Sequence, residues 1–398
     1  MRHHPALANG PIYLDYNGTT PIDPAVLEAM APYLATHFGN PSSAHAYGAS
    51  ARAGLDLARA QIADLVHARS GRIVFTGSGS EADALAIRGC VLAHPRGQAG
   101  LALAGGPSGR PRPHVITQAT EHPAVLAACA DLVELHGVDL TILPVDATGR
   151  VNPADVAAAI TDHTVLVTIM HANNETGTTQ PIADIAAVTH ERGALMHCDA
   201  AQAIGKVTVD VEELGVDLLT IVGHKMYAPK GVGALYVRDG LALRPLVGGG
   251  GQEYGLRAGT ENVPYAVALG HSATLAVSAL AAGETARLTG LRDRFEQRLH
   301  SVLRGRSHLN GHPHDRLPNT LNVRIQGAPA LALLAAMPGL ACSAGSACHA
   351  GQDMPSPVLS AMGIPSSEAL TAIRLSLGRW TTKDEVDRAA DEIARAAG

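Results

Sequence analysis

The chain has 398 residues, of which 46% are hydrophobic, enough to bury a large core in two domains or in one domain with a smaller satellite. A formal net charge of −6 and scattered basic residues give no electrostatic basis for direct binding of nucleic acid. No apolar window has the character of a signal peptide or the length of a membrane span, so we expect no membrane association.

The first predicted strand of the main sheet, Arg72–Thr76, is followed by the turn Gly77-Ser78-Gly79-Ser80-Glu81 and a helix over 81–91. Small residues in such a turn let a phosphate approach the backbone, and the helix N-terminus offers free N–H groups. Taken alone, the turn is explained equally well by ordinary helix capping. Within an α/β pattern, we favour a phosphate site that includes Gly79 and Ser80.

A second strand over 114–117 leads to a helix over 123–135, and His122 lies between them. A lone histidine at a capped helix start is usually exposed. At a strand end, however, an imidazole can stack on a flat ring and relay a proton. Residues 97–113, rich in Gly, Pro and Ala, are predicted to form a surface loop insertion.

Five more strands are predicted over 139–145, 164–170, 194–199, 216–222 and 233–238. Strands that are apolar on both faces and alternate with helices predict a mostly parallel sheet covered by helices. Polar side chains follow two of these strands. Asn174 lies in an Asn-Asn-Glu-Thr-Gly string that is typical of turns, yet its amide could also reach a cofactor or a substrate carboxylate, and Gln202 is a similar candidate.

Lysine occurs only four times, and Lys225 stands where the 216–222 strand ends, while Asp199 ends the strand before it. This is the pair needed to hold pyridoxal phosphate (PLP). The amine condenses with the aldehyde, and the carboxylate keeps the pyridine nitrogen protonated. Most lysines lie on the surface. Because Lys206 and Lys230 lie in more polar, turn-like settings, we assign the cofactor to Lys225.

From about residue 264 the pattern changes to a long helical stretch reaching about 303, strands over 319–325 and 372–377, and a C-terminal helix. This pattern predicts a smaller α+β domain that also includes the N-terminal residues. We place the large PLP-binding domain at 20–262 and the small domain, which contains the loop around Cys348, at 1–19 plus 263–398.

Five cysteines at irregular spacings argue against a disulfide framework and favour reduced thiols in the cytoplasm. No histidine pair has a zinc-ligand spacing supported by cysteines, so no metal site is expected. Most free cysteines are buried, but Cys348 follows the string Ser343-Ala344-Gly345-Ser346-Ala347, which is too rich in small residues for a core. A thiol on an exposed loop is suited to nucleophilic attack and group transfer. Cys342 is ambiguous, because it has a core-like setting close to that loop.

Arg374 lies within the predicted strand over 372–377. A buried arginine needs an anion, and a bidentate contact with the carboxylate of an amino acid would satisfy it. Arg379, after the Gly378 turn, is the less favoured alternative.

Three further strings complete the pattern: Tyr13-Leu14-Asp15-Tyr16-Asn17-Gly18-Thr19-Thr20-Pro21, Phe38-Gly39-Asn40-Pro41-Ser42-Ser43 and Arg374-Leu375-Ser376-Leu377-Gly378-Arg379. Together with the motifs above, they resemble the cysteine desulfurases and the related selenocysteine lyases of the class V aminotransferase fold. The resemblance implies a fold type I PLP-dependent transferase, with a large, mostly parallel seven-stranded sheet domain and a smaller α+β domain.

The resemblance also implies a role for each candidate residue. Lys225 would form the Schiff base with PLP, Asp199 would pair with the pyridine nitrogen, and His122 would stack on the ring. The remaining cofactor contacts implied are Gln202 and Asn174 at the phenolic oxygen, and Ser80 and His224 at the phosphate. Thr260 would reach the phosphate in the partner subunit's site, which implies a homodimer.

For the substrate, the resemblance implies that Arg374 and Asn174 hold the carboxylate and that Cys348 takes the sulfur as a persulfide for a sulfur-acceptor protein. The predicted activity is that of a cysteine desulfurase converting L-cysteine to L-alanine. Val222 and the insertion at 97–113 look more like selenocysteine lyases, so release of selenium from L-selenocysteine is the alternative. An ordinary class V aminotransferase and a non-enzymatic scaffold are further alternatives.

Overall fold

The computed structural model describes residues 4–94, 112–345 and 354–398. The predicted loop insertion at 97–113 therefore lies outside the described residues, apart from Arg112 and Pro113. Cys348 also lies outside them, with the rest of 346–353.

The described strands are β1 (Ile12–Tyr13), β2 (Arg72–Thr76), β3 (His114–Gln118), β4 (Asp139–Leu143), β5 (Thr164–Thr168), β6 (Leu195–Asp199), β7 (Leu218–Val222), β8 (Gly233–Val237), β9 (Ser307–Leu309), β10 (Thr320–Ile325), β11 (Leu340–Ala341) and β12 (Ala372–Ser376). Nine of the described strands match predicted ones, whereas β1, β9 and β11 were not predicted.

The large sheet has seven strands in the order β2-β8-β7-β6-β5-β3-β4. Every residue of β5 and β7 is buried, as expected for strands that are apolar on both faces. The sheet is parallel except at β8, which pairs antiparallel with both β2 and β7. The predicted mostly parallel, seven-stranded sheet is therefore confirmed.

Helices cover the sheet and build the second domain. They are α1 (Pro24–Ala35), α2 (Ala46–Leu65), α3 (Gly79–Ala93), α4 (Pro123–His136), α5 (Pro153–Ala159), α6 (Ile182–Glu191), α7 (Val211–Leu214), α8 (Val263–Ala281), α9 (Glu284–Val302), α10 (Ala330–Ala335), α11 (Pro357–Ala361), α12 (Ser366–Ala369) and α13 (Lys383–Ala396).

The helical stretch predicted from about 264 to 303 consists of two helices, divided at Gly283. That glycine has φ +85°, a left-handed conformation that ends α8 and starts α9. By length and composition α8, with a mean hydropathy of 1.3, could cross a membrane, contrary to the sequence expectation. It packs against α1 and α2, and apolar side chains such as Leu269 and Ala273 belong to the core of the large sheet.

The smaller domain has an antiparallel sheet in the order β12-β10-β9, with α9 packed against α13. The N-terminal segment joins it, since β1 pairs with β11 and Leu14 lies in its core. The division at residue 262 stays a prediction. Side-chain packing would place the change of core at the α8–α9 junction, because Leu288 and Phe295 of α9 belong to the second core.

Candidate active site

A cavity of about 360 Å³ opens at the C-terminal ends of β6 and β7, where the large sheet meets the N-terminal segment and β12. The carboxyl ends of parallel strands are the usual place for ligands in α/β sheets. The predicted residues that line the cavity are Lys225, Asp199, Gln202, His122, Asn174, Gly79, Ser80, His224 and Arg374. The structure thus brings nine of the predicted site residues together.

Lys225 ends a short 3₁₀ helix, Gly223–Lys225, which follows directly from the buried strand β7. Its Nζ donates hydrogen bonds to the carbonyl oxygens of Asn17 and Gly18, each at 2.7 Å. The N-terminal segment therefore fixes the amine at the cavity wall. Neither Asn17 nor Gly18 was predicted as a site residue, although both belong to a string on which the family resemblance rested.

Asp199 ends β6 with only 6% of its surface exposed. Burial raises the pKa of its carboxyl group, and a hydrogen bond from the Ala201 N–H (2.9 Å) together with the charges of His122 and Lys225 opposes that rise. Asp83 of α3, which the sequence analysis missed, also lines the cavity and is repelled by Asp199. Burial raises the pKa of Asp83 as well, and no donor among the described residues bonds its Oδ1.

The turn between β2 and α3 has the geometry of a phosphate cradle. Ser78 caps α3, its Oγ accepting from the Glu81 N–H at 3.1 Å, while the first N–H groups of a helix lack partners within it. A Cβ on Gly79 would meet Cγ2 of Val222 at 2.4 Å, so the turn lies too close to β7 for a side chain. Ser80 is exposed at the cavity wall.

Two histidines face the cavity, and burial lowers the pKa of both. His122 caps α4, with Nδ1 accepting from the Ala124 N–H at 3.2 Å. In the neutral ring the proton must then lie on Nε2. His224 has its pKa lowered to about 4, first by burial and then by Lys225, and its Nδ1 lies 3.1 Å from Oγ1 of Thr19.

Gln202 is oriented by a lysine that the sequence analysis misjudged. Lys206, expected in a polar turn, is only 7% exposed, and its Nζ donates to the backbone oxygen and to Oε1 of Gln202, each at 2.9 Å. The Gln202 amide therefore presents Nε2, which donates to the Asn17 carbonyl at 3.1 Å.

Arg374 lies in β12 with 1% of its surface exposed, as the argument for a buried arginine predicted. One terminal nitrogen donates to Asp15 Oδ1 at 2.6 Å, and the other donates to the Asn174 carbonyl at 3.0 Å. Its Nε has no hydrogen-bond partner among the described residues. The guanidinium is thus held at the cavity with donor capacity left for a carboxylate.

These residues fit PLP. The N-terminus of α3 at Gly79 lines the cavity and suits a phosphate, and the buried carboxylate of Asp199 suits a protonated ring nitrogen. The Lys225 amine on the cavity wall suits an aldehyde.

Two predicted residues remain, Thr260 and Cys348. Thr260 is exposed and is not among the residues lining this cavity, so its contact with a partner's cofactor stays a prediction. Cys348 lies outside the described residues, and its role stays a prediction too.

Comparison with known proteins places the fold and the cavity in a family. Residues 12–389 match the family model described as aminotransferase class-V. The chain belongs to the class V aminotransferase family. This family depends on PLP, so the predicted fold and cofactor are confirmed.

The relatives are named as cysteine desulfurases. One from Trichormus azollae is 45% identical over 381 residues, covering 95% of this chain and 90% of the relative. A solved structure named as a NifS-like protein has a TM-score of 0.85 at 32% identity and covers 97% of this chain and 98% of its own. A structure described as SspA in complex with cysteine has a TM-score of 0.77 at 35% identity, covering 93% of this chain and 99% of its own. These names favour the desulfurase prediction over the selenocysteine lyase alternative.

Proposed function

We propose that the chain is a PLP-dependent cysteine desulfurase that converts L-cysteine to L-alanine and transfers the sulfur to Cys348 as a persulfide. The observation that carries this proposal is the single cavity in which the Lys225 amine, the Asp199 carboxylate and the Arg374 guanidinium meet. The names of the relatives and the solved SspA complex with cysteine support it.

The chain's own groups would hold the cofactor. The N-terminus of α3 at Gly79 and Ser80, with His224, would bind the phosphate, and Asp199 would face the pyridine nitrogen. When bound, PLP supplies an electron sink for charge that develops at the α-carbon of an amino acid.

Arg374 would orient the substrate by binding the carboxylate of the amino acid. The Asn174 carbonyl lies next to this position and accepts a hydrogen bond from the same guanidinium. Lys225, released by the substrate amine, would remove the proton from the α-carbon. The carbonyl oxygens of Asn17 and Gly18 hold its Nζ at the cavity wall for this step.

His122 is a candidate general acid. Its lowered pKa keeps the imidazole neutral near pH 7, and its Nε2–H can donate because Nδ1 is engaged with the Ala124 N–H. We expect His122→Ala to slow turnover while cofactor absorbance persists. Full turnover in that variant would disprove the role.

The sulfur step balances without an external oxidant. The Cys348 thiolate attacks the sulfur of the substrate, an S–S bond forms, and the C–S bond breaks with its electron pair left on the substrate. Protonation of that carbon and loss of the product give alanine, so cysteine and a thiol become alanine and a persulfide. A thiol of a sulfur-acceptor protein would then take the outer sulfur.

The decisive experiment measures alanine, together with sulfide from L-cysteine and selenide from L-selenocysteine, with a thiol reductant, in the wild type and in Cys348→Ala. We expect Cys348→Ala to lose cysteine turnover almost completely. Cys342→Ala is the matched control, because burial raises the pKa of that thiol to about 12 and it should contribute no thiolate. Unchanged alanine production by Cys348→Ala would refute the mechanism.

A homodimer is part of the proposal. It is supported by the exposure of Thr260 outside its own cavity and by the exposed aromatic pair Phe38 and Tyr47, which are 68% and 63% exposed with ring centroids 5.4 Å apart. Sedimentation equilibrium should give twice the chain mass, and a monomer that binds PLP with full activity would exclude this arrangement.

A cytoplasmic location is also proposed, because the described cysteines Cys90, Cys129, Cys198 and Cys342 are all unpaired in the fold. Fractionation of the native cells should recover the protein with cytoplasmic markers, and recovery elsewhere would refute it.

A further inference from the structure

Asp15 pairs with the arginine to which we assign the substrate carboxylate. Its Oδ1 accepts a hydrogen bond from a terminal nitrogen of Arg374 at 2.6 Å. The side chain of Asp15 is 26% exposed, whereas that of Arg374 is 1% exposed. The buried guanidinium therefore has an anion beside it before any amino acid enters the cavity.

The backbone of Asp15 is fixed beside the strand that carries this arginine. Asp15 forms a β-bridge with Ser376, two residues beyond Arg374 in β12. The Asp15 carbonyl accepts from the Gly18 N–H at 2.9 Å and from the Tyr13 hydroxyl at 3.2 Å. Its second carboxylate oxygen, Oδ2, lies against Gly18 and leaves no room for a Cβ there. Because Gly18 lines the cavity, the Asp15 carboxylate lies directly behind the cavity wall.

An amino acid bound to Arg374 would place a second carboxylate on the same guanidinium. Arg374 has donors left for it, because the bonds to Asp15 and to the Asn174 carbonyl use one N–H of each terminal nitrogen. The two carboxylates would lie a few ångström apart, however, and like charges at that separation repel each other. Burial of the guanidinium limits the screening of this repulsion by salt. Arg374 should therefore bind a ligand carboxylate more weakly than an arginine without a carboxylate neighbour.

We propose that Asp15 competes with the α-carboxylate of the amino acid for Arg374 and so sets how weakly substrate and product are held. The inference rests on the proposed function and extends it to the release of alanine. Alanine keeps the amino and carboxylate groups of cysteine, so a site that held these groups tightly would also retain its product. A carboxylate beside Arg374 favours the exchange of alanine for fresh cysteine.

The test compares two ligands of similar shape in the purified holoenzyme. L-alanine carries a carboxylate, whereas L-alaninamide carries a neutral amide in its place. Asp15→Asn keeps an oxygen that can accept from Arg374 and removes the negative charge. Asp23→Asn is the matched control, because it removes the same charge from an ion pair with Arg379, and neither of these residues lines the cavity. Asparagine in that control can still cap α1, as Asp23 does.

Equilibrium titrations that follow the absorbance of the cofactor give a Kd for each ligand. We expect Asp15→Asn to bind L-alanine about five- to fiftyfold more tightly than the wild type does. Its affinity for L-alaninamide should stay within about threefold of the wild-type value. Asp23→Asn should match the wild type with both ligands. Because only folded protein with bound cofactor responds, the ratio of the two Kd values does not depend on how much of a variant folds.

Equal affinity for L-alanine in Asp15→Asn and the wild type would overturn the inference. So would an equal loss of affinity for both ligands, since Asp15 would then only hold Arg374 in place. Both results depend on binding alone and not on sulfur transfer. A wild type that binds L-alanine but makes none from L-cysteine would refute the proposed function, and competition at Arg374 would still be decided by the two Kd values.

Discussion

Lys206 should lower the stability of the cofactor-free protein near neutral pH. Its ammonium group is buried beneath Gln202, whose two oxygens accept from Nζ. Burial, reinforced by the charges of Lys225 and Arg374, lowers the pKa of Lys206 from 10.5 to about 7. Between these values the unfolded chain holds a proton that the folded chain lacks, so stability must rise with pH over that range.

The magnitude follows from the two pKa values. One pKa unit is worth about 1.36 kcal/mol, so the full effect between pH 7 and 10.5 is about 5 kcal/mol. Between pH 8 and pH 9.5 the free energy of unfolding should therefore increase by about 2 kcal/mol.

Lys206→Met isolates this contribution, because methionine has a similar length and no charge. Urea unfolding of the cofactor-free protein can be followed by Trp380, the single tryptophan. From pH 8 to pH 9.5 the wild type should gain about 2 kcal/mol in free energy of unfolding relative to the variant. Lys230→Met, at an exposed lysine, should show no such trend. A difference between wild type and Lys206→Met that stays constant with pH would refute the reasoning.

Two further changes test the cavity, and a third tests the buried carboxyl group of Glu121, which precedes His122 in the chain. Gly79→Ala should weaken PLP binding at least about tenfold in an absorbance titration, because the added Cβ would meet Val222 at 2.4 Å. Adding Val222→Ala should restore part of the affinity. Wild-type affinity in Gly79→Ala would show that this turn does not bind the phosphate. Asp199→Asn should raise the thermal midpoint of the cofactor-free protein at pH 7, because it removes a buried carboxyl group with a raised pKa. The same change should weaken PLP binding. A thermal midpoint below that of the wild type would contradict the first expectation. Burial raises the pKa of Glu121 from 4.5 to about 8, so the stability of the wild type should fall as pH rises between these values. The thermal midpoint of Glu121→Gln should therefore rise relative to that of the wild type from pH 5 to pH 8. A difference between the two midpoints that stays constant with pH would contradict the raised pKa.

The sequence predicts those features of the fold and the site that depend on the order of neighbouring residues. The buried strand over 218–222 is an apolar run interrupted only by Thr220. The polar residues near the ends of such strands, Lys225 and Asp199, therefore stand out from the residue order alone. The antiparallel insertion of β8 between β2 and β7 was not visible, because strand order depends on contacts between distant segments.

Residues buried by distant packing were misjudged for the same reason. Lys206 follows a Gly in a turn and looks exposed, but the start of α9 covers it, with Thr285 Oγ1 donating to its carbonyl at 2.8 Å. Asp83 could have been noticed as a charged residue on an otherwise apolar helix face. The break between α8 and α9 at Gly283 depends on the left-handed backbone of that glycine, which composition alone does not specify.

The cavity joins segments 359 residues apart in the chain, since Arg374 donates to Asp15 and the Ser376 N–H donates to the Leu14 carbonyl at 2.7 Å. During synthesis, the groups of the N-terminal segment that orient the lysine are made about 360 residues before the arginine opposite them. The pocket for the vitamin B6 cofactor is therefore complete only after residue 374 has been synthesised. A bulky fusion placed before residue 12, where β1 begins, would therefore disturb an active site whose arginine lies more than 300 residues later in the chain.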